Sequence, residues 1–257
     1  MPAPTNTFKQ RLAAGERVIG CWAGFADPYA TEVLGTAGFD WLVIDGEHAP
    51  NDLRSIMAQL VALKGAHSHP VVRLPMGEAW AIKQVLDAGA QTLLIPLVES
   101  AEQARDLVRA MRYPPAGIRG AGAALARASA FSGIPDYVAT ANDQMCLLVQ
   151  VETRAGIAAL DDILAVEGVD GVFIGPADLA ADMGYPGNSG TPEVADTIRD
   201  ALGRIAASDK AAGILAVDDK VAQQYAEWGA QFLAVGIDVV MLARTARETV
   251  RLWSGRE

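Results

Sequence analysis

The sequence predicts an α/β fold, a single (β/α)8 (TIM) barrel, and three observations lead there. Eight short, almost wholly apolar runs recur along the 257 residues. Segments of helical periodicity separate them, the pattern of a parallel sheet covered on both faces. Eight such units in about 250 residues are the usual proportions of one closed barrel. No G-x-G-x-x-G follows the first apolar run, so the main signal of an open dinucleotide-binding sheet is missing.

The elements follow in order. A short amphipathic helix over Thr7–Ala14 precedes the first strand, VIGCWAG (18–24). A periodic segment, Tyr29–Ala37, leads to WLVID (41–45), and Asp52–Lys64 leads to PVVRLP (70–75). Ala79–Ala88 and Ala101–Met111 read as the helices flanking TLLIPLV (92–98). The Gly/Ala/Pro-rich stretch Pro114–Asn142 then breaks the compact spacing, and is expected at the carboxyl end of the barrel, where lids and binding loops lie. Strand five is MCLLVQVE (145–152), followed by a helix over Ala155–Val166 and strand six, GVFIGPAD (171–178). Glu193–Ala207, AGILAV (212–217), Asp219–Trp228, FLAVGID (232–238) and Val239–Trp253 complete the alternation. With no flexible linker, low-complexity tract or fixed-period repeat, residues 1–257 read as one domain.

Composition narrows the function classes. Apolar residues make up 51% of the chain, enough for a large core, while a formal net charge of −10 argues against nucleic acid or an anionic membrane as partner. An anionic substrate must then be met by local positive groups. The N-terminal stretch lacks an apolar signal core and no run is long enough to span a membrane. Cys21 and Cys146 both sit in apolar runs and read as buried free thiols in a reducing cytoplasm.

Polar residues gather at the strand ends. Strand two ends in Asp45, Glu47 and His48, strand three carries Arg73, strand five ends at Gln150 and Glu152, and strand six ends at Asp178. In a closed barrel these ends share one mouth, the usual place of an active site. Glu152 and Asp178, on neighbouring strands, read as a metal pair. Carboxylates without a Cys or His cluster favour a hard ion such as Mg²⁺ or Mn²⁺, leaving coordination positions for water and a chelating substrate. Gly175-Pro176 at a strand-to-loop bend would aim the amides of Ala177 and Asp178 into the mouth, where they suit a carboxylate as the amides at a helix start do. His48 reads as a base whose imidazole Asp45, three residues earlier, holds in one tautomer. Glu47 reads as a supporting hydrogen-bonding group. His67 and His69, in H-S-H, precede strand three and are expected in a solvated loop at the opposite end. No lysine sits at a carboxyl strand end, which disfavours a Schiff base. The ends of strands seven and eight lack a glycine-rich phosphate cradle, so a simple carboxylate suits the site better than a phosphorylated substrate.

The segments GFDWLVIDGEHAPND, QVLDAGAQTLLIPLVE, RYPPAGIRGAGAALARAS, QVETRAGI and GVDGVFIGPADLAADMGY resemble the metal-dependent (class II) pyruvate aldolases of the HpcH/HpaI family, of the 4-hydroxy-2-oxoheptane-1,7-dioate aldolase type. The resemblance runs from about Phe8 to Trp253. It implies reversible cleavage of 4-hydroxy-2-oxo acids to pyruvate, or a close 2-oxo acid, and an aldehyde, with Mg²⁺, Mn²⁺ or Co²⁺ and no organic cofactor. By motif, Glu152 and Asp178 would ligate the ion, Arg73 would contact the ketone and enolate oxygen, and His48 with Asp45 would be the base. Substrate contacts are expected from Trp22, Arg73, Gly175, Pro176, Ala177, Asp178 and Leu215. Asp87, in KQVLDAGA, would approach the mouth of an adjacent subunit, in a homohexamer (a trimer of dimers) that exchanges its C-terminal helix. Ala123 and the stretch LPMGEAW after Arg73 depart from the family pattern near loops expected to shape the aldehyde pocket. Two alternatives remain. A lyase acting on malyl- or citramalyl-CoA would need a basic cluster that the sequence lacks. A non-catalytic keto-acid sensor could dispense with His48 and Asp45.

Overall fold

The computed structural model describes residues 1–254, and its sheet is a closed barrel of eight parallel strands in sequence order. The strands are β1 (Val18–Ala23), β2 (Trp41–Asp45), β3 (His69–Arg73), β4 (Thr92–Ile95), β5 (Cys146–Val151), β6 (Gly171–Ile174), β7 (Ala211–Leu215) and β8 (Phe232–Ile237), with β8 closing onto β1. Helices α1 (Thr7–Ala13), α2 (Pro28–Gly35), α3 (Leu53–Ala62), α4 (Ala79–Asp87), α5 (Ala101–Met111) and α6 (Tyr137–Thr140) accompany the first half. The second half carries α7 (Arg154–Ala158), α8 (Leu160–Leu164), α9 (Pro176–Asp182), α10 (Pro192–Ala206), α11 (Asp219–Glu227) and α12 (Asp238–Ser254). Among the described residues no helix is long and apolar enough to cross a membrane.

Side-chain parity on the strands divides the core in two. Residues facing outward, such as Leu42, Ile44, Val72, Leu93, Val149 and Val172, pack under the helices in the larger cluster. Residues two apart on the other face, such as Trp41 and Val43 on β2 and Val71 on β3, fill the barrel interior together with Phe173 and Phe232. The interior is a packed aromatic plug: Trp41 meets Phe232 with centroids 5.8 Å apart, and Trp22 meets Phe173 at 5.5 Å. Such pairs add about 0.5–1.5 kcal/mol each beyond burial. Two glycines make room for them. A Cβ on Gly20 would collide with the Trp41 indole, and one on Gly213 with the Phe232 ring.

α1 seals the amino end of the barrel. Asn6 caps it through its side chain, and Phe8 stacks on the His69 ring with centroids 5.2 Å apart. Asn6 Nδ2 donates to Thr92 Oγ1 at 3.0 Å, and His69 Nε2 meets the same hydroxyl at 2.8 Å. His69 is therefore the first residue of β3 and part of this closure, not a member of a solvated loop; of the H-S-H pair it is His67, beside Asp40 at 3.5 Å, whose side chain is exposed. Burial pushes the His69 imidazole down to about 4. Cys21 and Cys146 are free and buried, as expected.

Three further expectations are corrected. The segment 155–166 is two short helices, α7 and α8, broken at Ala159. β6 stops at Ile174 and Pro176 opens α9, so Ala177 and Asp178 belong to a helix's first turn, not to the strand. The insert Pro114–Asn142 lies at the amino end of the barrel. It follows α5, which has already returned the chain there, and it binds the N-terminal segment through Ala3 N–H to Thr140 Oγ1 (2.8 Å) and the terminal ammonium to Asp136 (3.1 Å). Ala123, on a one-turn 3-10 helix of this insert, thus stands away from its own chain's mouth.

Candidate active site

The interior parity that fills the barrel with aromatic rings places polar groups in its top layer. Asp45 lies two residues beyond Val43, Arg73 two beyond Val71, and Gln150 and Glu152 follow Leu148 on the same face. Because Asp45 and Arg73 are also register partners across β2 and β3, their side chains meet directly. A cavity of about 360 Å³ opens above this layer. Its polar wall is Asp45, His48, Arg73, Gln150 and Asp178, and its apolar wall is Trp22, Phe173, Leu215, Ile237, Val239 and Val240. Gly24, Ala49, Gly175, Pro176 and Ala177 complete the lining, so nine of the sequence-predicted site residues share one cavity: Trp22, Asp45, His48, Arg73, Gly175, Pro176, Ala177, Asp178 and Leu215.

The geometry around Arg73 corrects the expected His48–Asp45 pairing. Arg73 Nε and Nη2 donate to the two oxygens of Asp45 at 2.8 and 2.7 Å, a bidentate pair between buried side chains. Asp45 Oδ1 also accepts the backbone N–H groups of Glu47 (3.0 Å) and His48 (3.4 Å), so it reaches His48 through the main chain and not through the imidazole. Burial would raise the Asp45 carboxyl, but the Arg73 bonds and charge and the two amides outweigh it and hold the carboxyl below its ordinary range. The carboxylate beside the His48 ring is Glu47, whose Oε2 lies 3.8 Å from Nε2; the ring itself is 66% exposed.

Glu47 also meets Arg73. Its Oε2 is 2.7 Å from Nη1, an ion pair whose angles miss hydrogen-bond geometry and leave that buried oxygen without a bonded donor. Burial pushes the Glu47 carboxyl up; Arg73 and His48 oppose this, while Asp45 and Asp178 add to it. The guanidinium rests 5.3 Å from the Trp22 ring centroid and lines the cavity, with Nε and one N–H of Nη2 spent on Asp45.

Glu152 is 2% exposed. Its Oε1 accepts the Leu97 amide at 3.0 Å and its Oε2 accepts Gln150 Nε2 in a short bond, while Gln150 Oε1 has no donor. Leu97 takes a left-handed φ of 54°, sparsely populated for such a side chain, and its amide is turned onto the carboxylate. Burial pushes Glu152 up, and Asp178 and Glu47 reinforce this against the bonds from Gln150 and Leu97. A Cβ at position 175 would strike Glu152 Oε2, so only glycine admits this close approach. A buried carboxylate repelled by two others, beside an orphaned amide oxygen, is a donor set of hard oxygens that suits a divalent cation. Among the described residues no group of three or more acidic, His or Cys side chains could hold a metal, so any ion here relies on fewer protein ligands.

Above Glu152, Gly175 caps α9 without a side-chain bond, leaving the first-turn amides open to an anion. Asp87 lies elsewhere. It ends α4, pairs with the fully buried Arg119 at 2.8 Å, and lines a separate cavity of about 550 Å³ beside Leu125 and Phe131. Phe173, Ile237, Val239 and Val240 also line the cavity, and being apolar they are indistinguishable from core by composition, so nothing in the sequence marks them as site residues. The Leu97 amide carries no side-chain signal at all.

Residues 18–245 match the HpcH/HpaI aldolase/citrate lyase family. A protein of Roseovarius nubinhibens named hydroxypyruvate/pyruvate aldolase is 77% identical over 253 residues, 98% of each chain. An Escherichia coli 4-hydroxy-2-oxo-heptane-1,7-dioate aldolase is 56% identical, covering 94% of this chain and 92% of its own. The crystal structure of a HpcH/HpaI aldolase/citrate lyase family protein from Burkholderia cenocepacia superposes with a TM-score of 0.93 at 42% identity, over 96% of this chain and 98% of that one.

Proposed function

The chain belongs to the HpcH/HpaI aldolase/citrate lyase family and is an aldolase, and from that premise we propose that its barrel mouth cleaves 4-hydroxy-2-oxo acids to pyruvate, or to hydroxypyruvate, and an aldehyde, with a divalent ion held by Glu152 and Asp178. The observation that carries the site assignment is the buried Glu152 carboxylate, pushed up by burial and by its acidic neighbours, which a cation would relieve. When bound, a Mg²⁺, Mn²⁺ or Co²⁺ ion supplies Lewis acidity to the 2-oxo group.

The chain's own residues supply the rest. The amides of Ala177 and Asp178 take the substrate carboxylate at the α9 terminus. The guanidinium of Arg73 faces the oxygen on which negative charge develops as the C3–C4 bond breaks, and Asp45 fixes its direction. His48, directly or through water, accepts the proton of the C4 hydroxyl so that the aldehyde can depart. The aromatic and aliphatic wall, with Trp22 and Leu215, takes the aldehyde carbons and excludes water.

Assembly belongs to the same proposal. α12 exposes Val240, Leu242, Val250, Leu252 and Trp253, an apolar run that suits exchange between copies in a homohexamer. Asp87, held by Arg119 on the outer surface, would then face the exposed His48 of a neighbouring copy. The two free thiols suit a reducing cytoplasm. The test is removal of divalent ions. Activity should disappear on chelation and return with Mg²⁺, Mn²⁺ or Co²⁺, and full activity of a metal-free preparation would overturn the reading.

A further inference from the structure

The last helix is rooted in its barrel by one acidic side chain. Among the described residues of α12, Asp238 alone is buried, at 7% exposure. The helix nevertheless delivers Val239 and Val240 to the apolar wall of the mouth. Its direction is set just before it, where β8 carries a bulge. Pairing advances from Gly20 with Ala234 to Trp22 with Ile237, one residue more on β8 than on β1. The extra residue changes the parity of the strand, so Ile237 joins Phe232 and Ala234 against the interior cluster. Asp238, next in the chain, reaches the turn between β1 and α2.

There it bonds main chain on both sides. Asp238 Oδ1 accepts the Gly24 amide at 2.8 Å and the Val239 amide at 2.6 Å, and Oδ2 accepts the Phe25 amide at 3.3 Å. These amides and the positive end of α12 answer its charge. The turn that it grips runs through Ala26 in a left-handed conformation (φ 56°), which persists only where the surroundings fix it. Gly24 lines the mouth, and so does Trp22, whose ring lies against the Arg73 guanidinium. One carboxylate therefore ties together two edges of the mouth, the end of β1 and the root of α12.

We propose that Asp238 is a positioning residue for the aldehyde half of the reaction: it fixes the separation between Trp22 and the Val239–Val240 edge, and with it the fit of the aldehyde carbons. The proposal rests on the reading of the mouth as the active site. Asp238 does not itself line the cavity and acts through the main chain it holds. The floor of the mouth is held by other bonds, Glu152 by Leu97 and Gln150 and Arg73 by Asp45, so loosening Asp238 leaves the keto-acid half in place. Asparagine at position 238 would keep one acceptor for Gly24 and Val239 and turn an NH2 group on the Phe25 amide, donor against donor. A methyl group on Gly24 would stand 3.3 Å from Oδ1 and 3.7 Å from the Val239 side chain, pressing on the same contact from the other side.

The experiment compares wild-type, Asp238→Asn and Gly24→Ala enzymes, all with Mg²⁺, in two assays: deuterium exchange into pyruvate C3, and aldol addition of acetaldehyde or butanal to pyruvate. In Asp238→Asn the KM for butanal should rise about 10-fold with kcat changed little, the mark of lost binding shared by ground and transition states. The KM for acetaldehyde, which has fewer carbons to seat, should rise less, and exchange should stay within about 2-fold of wild type. Gly24→Ala keeps the carboxylate and should show the same split, so the proposal stays testable where Asp238→Asn folds or assembles poorly. A lowered melting temperature with both aldehyde KM values unchanged would overturn the proposal, leaving Asp238 a helix anchor alone. An equal fall of exchange and addition would overturn it too, by showing that Asp238 acts on the floor. Failure of the underlying site assignment shows differently, as undiminished activity of Glu152→Gln in both assays.

Discussion

Replacing Asp45 with Asn separates two roles for this carboxylate. In the structure it receives two charge-assisted bonds from Arg73, at 2.8 and 2.7 Å, and its imidazole neighbour is reached only through the backbone. Asparagine keeps one acceptor but turns an NH2 group toward the second guanidinium N–H, donor against donor. Charged bonds are worth about 1.5–3 kcal/mol each, and stripping one partner from a buried pair costs about 3–5 kcal/mol. Glu47 remains against Nη1 and one neutral bond survives, so the net loss should be about 2–4 kcal/mol, read from urea unfolding at neutral pH. Asp45 is held below its ordinary range, so its contribution is complete above the unfolded carboxylate value of about 3.9 and disappears as pH falls below it. Wild type and variant should therefore converge in strong acid. For activity, a loosened Arg73 should slow deuterium exchange into pyruvate C3 and aldol cleavage alike, by about 10²-fold. If Asp45 instead acted by holding His48, cleavage alone would fall. Normal exchange with crippled cleavage would refute the assignment of Asp45 to Arg73.

Three other outcomes follow from the same geometry. Glu152→Gln should abolish divalent-ion affinity in calorimetry, yet raise the melting temperature of the metal-free protein at neutral pH. The raised carboxyl costs stability as pH climbs through its range, and a glutamine could donate to the Gln150 Oε1 that now lacks a partner. His48→Ala should lower cleavage by about 10²–10⁴-fold while pyruvate exchange changes far less, because pyruvate has no C4 hydroxyl. His69→Gln should flatten the acid limb of stability. A folded value near 4 against about 6.5 unfolded means that stability is full above about 6.5 and declines as pH falls toward 4, by no more than about 3 kcal/mol, and melting curves across that interval would show whether the decline persists in the variant.

The barrel was legible because its determinants are periodic. Eight apolar runs with two-residue parity require two covered faces, and Asp45, Arg73, Gln150 and Glu152 stand out as polar groups at inward-facing positions. What escaped depends on three-dimensional direction. The glycines of the insert suggest a lid at the mouth, but the helix before it has already carried the chain to the far end. The three-residue spacing of Asp45 and His48 suggested a dyad, but register across β2 and β3 gave the carboxylate to Arg73. The support of Glu152 by a main-chain amide in a left-handed residue leaves no mark on residue type.

The sealed interior has a kinetic consequence. With Phe8, Trp41 and Phe232 filling the axis and α1 across the far end, the described residues leave no passage along the barrel axis, and whatever enters the mouth must leave by the same door. On the proposed seating, the keto-acid half lies against Glu152 and Arg73 at the floor, with the aldehyde half above it. Departure is then ordered: the aldehyde goes first, and pyruvate cannot pass until the way out is clear. In the cleavage direction pyruvate should therefore compete with substrate for the empty enzyme, while aldehyde, meeting the pyruvate-loaded form, should give noncompetitive inhibition.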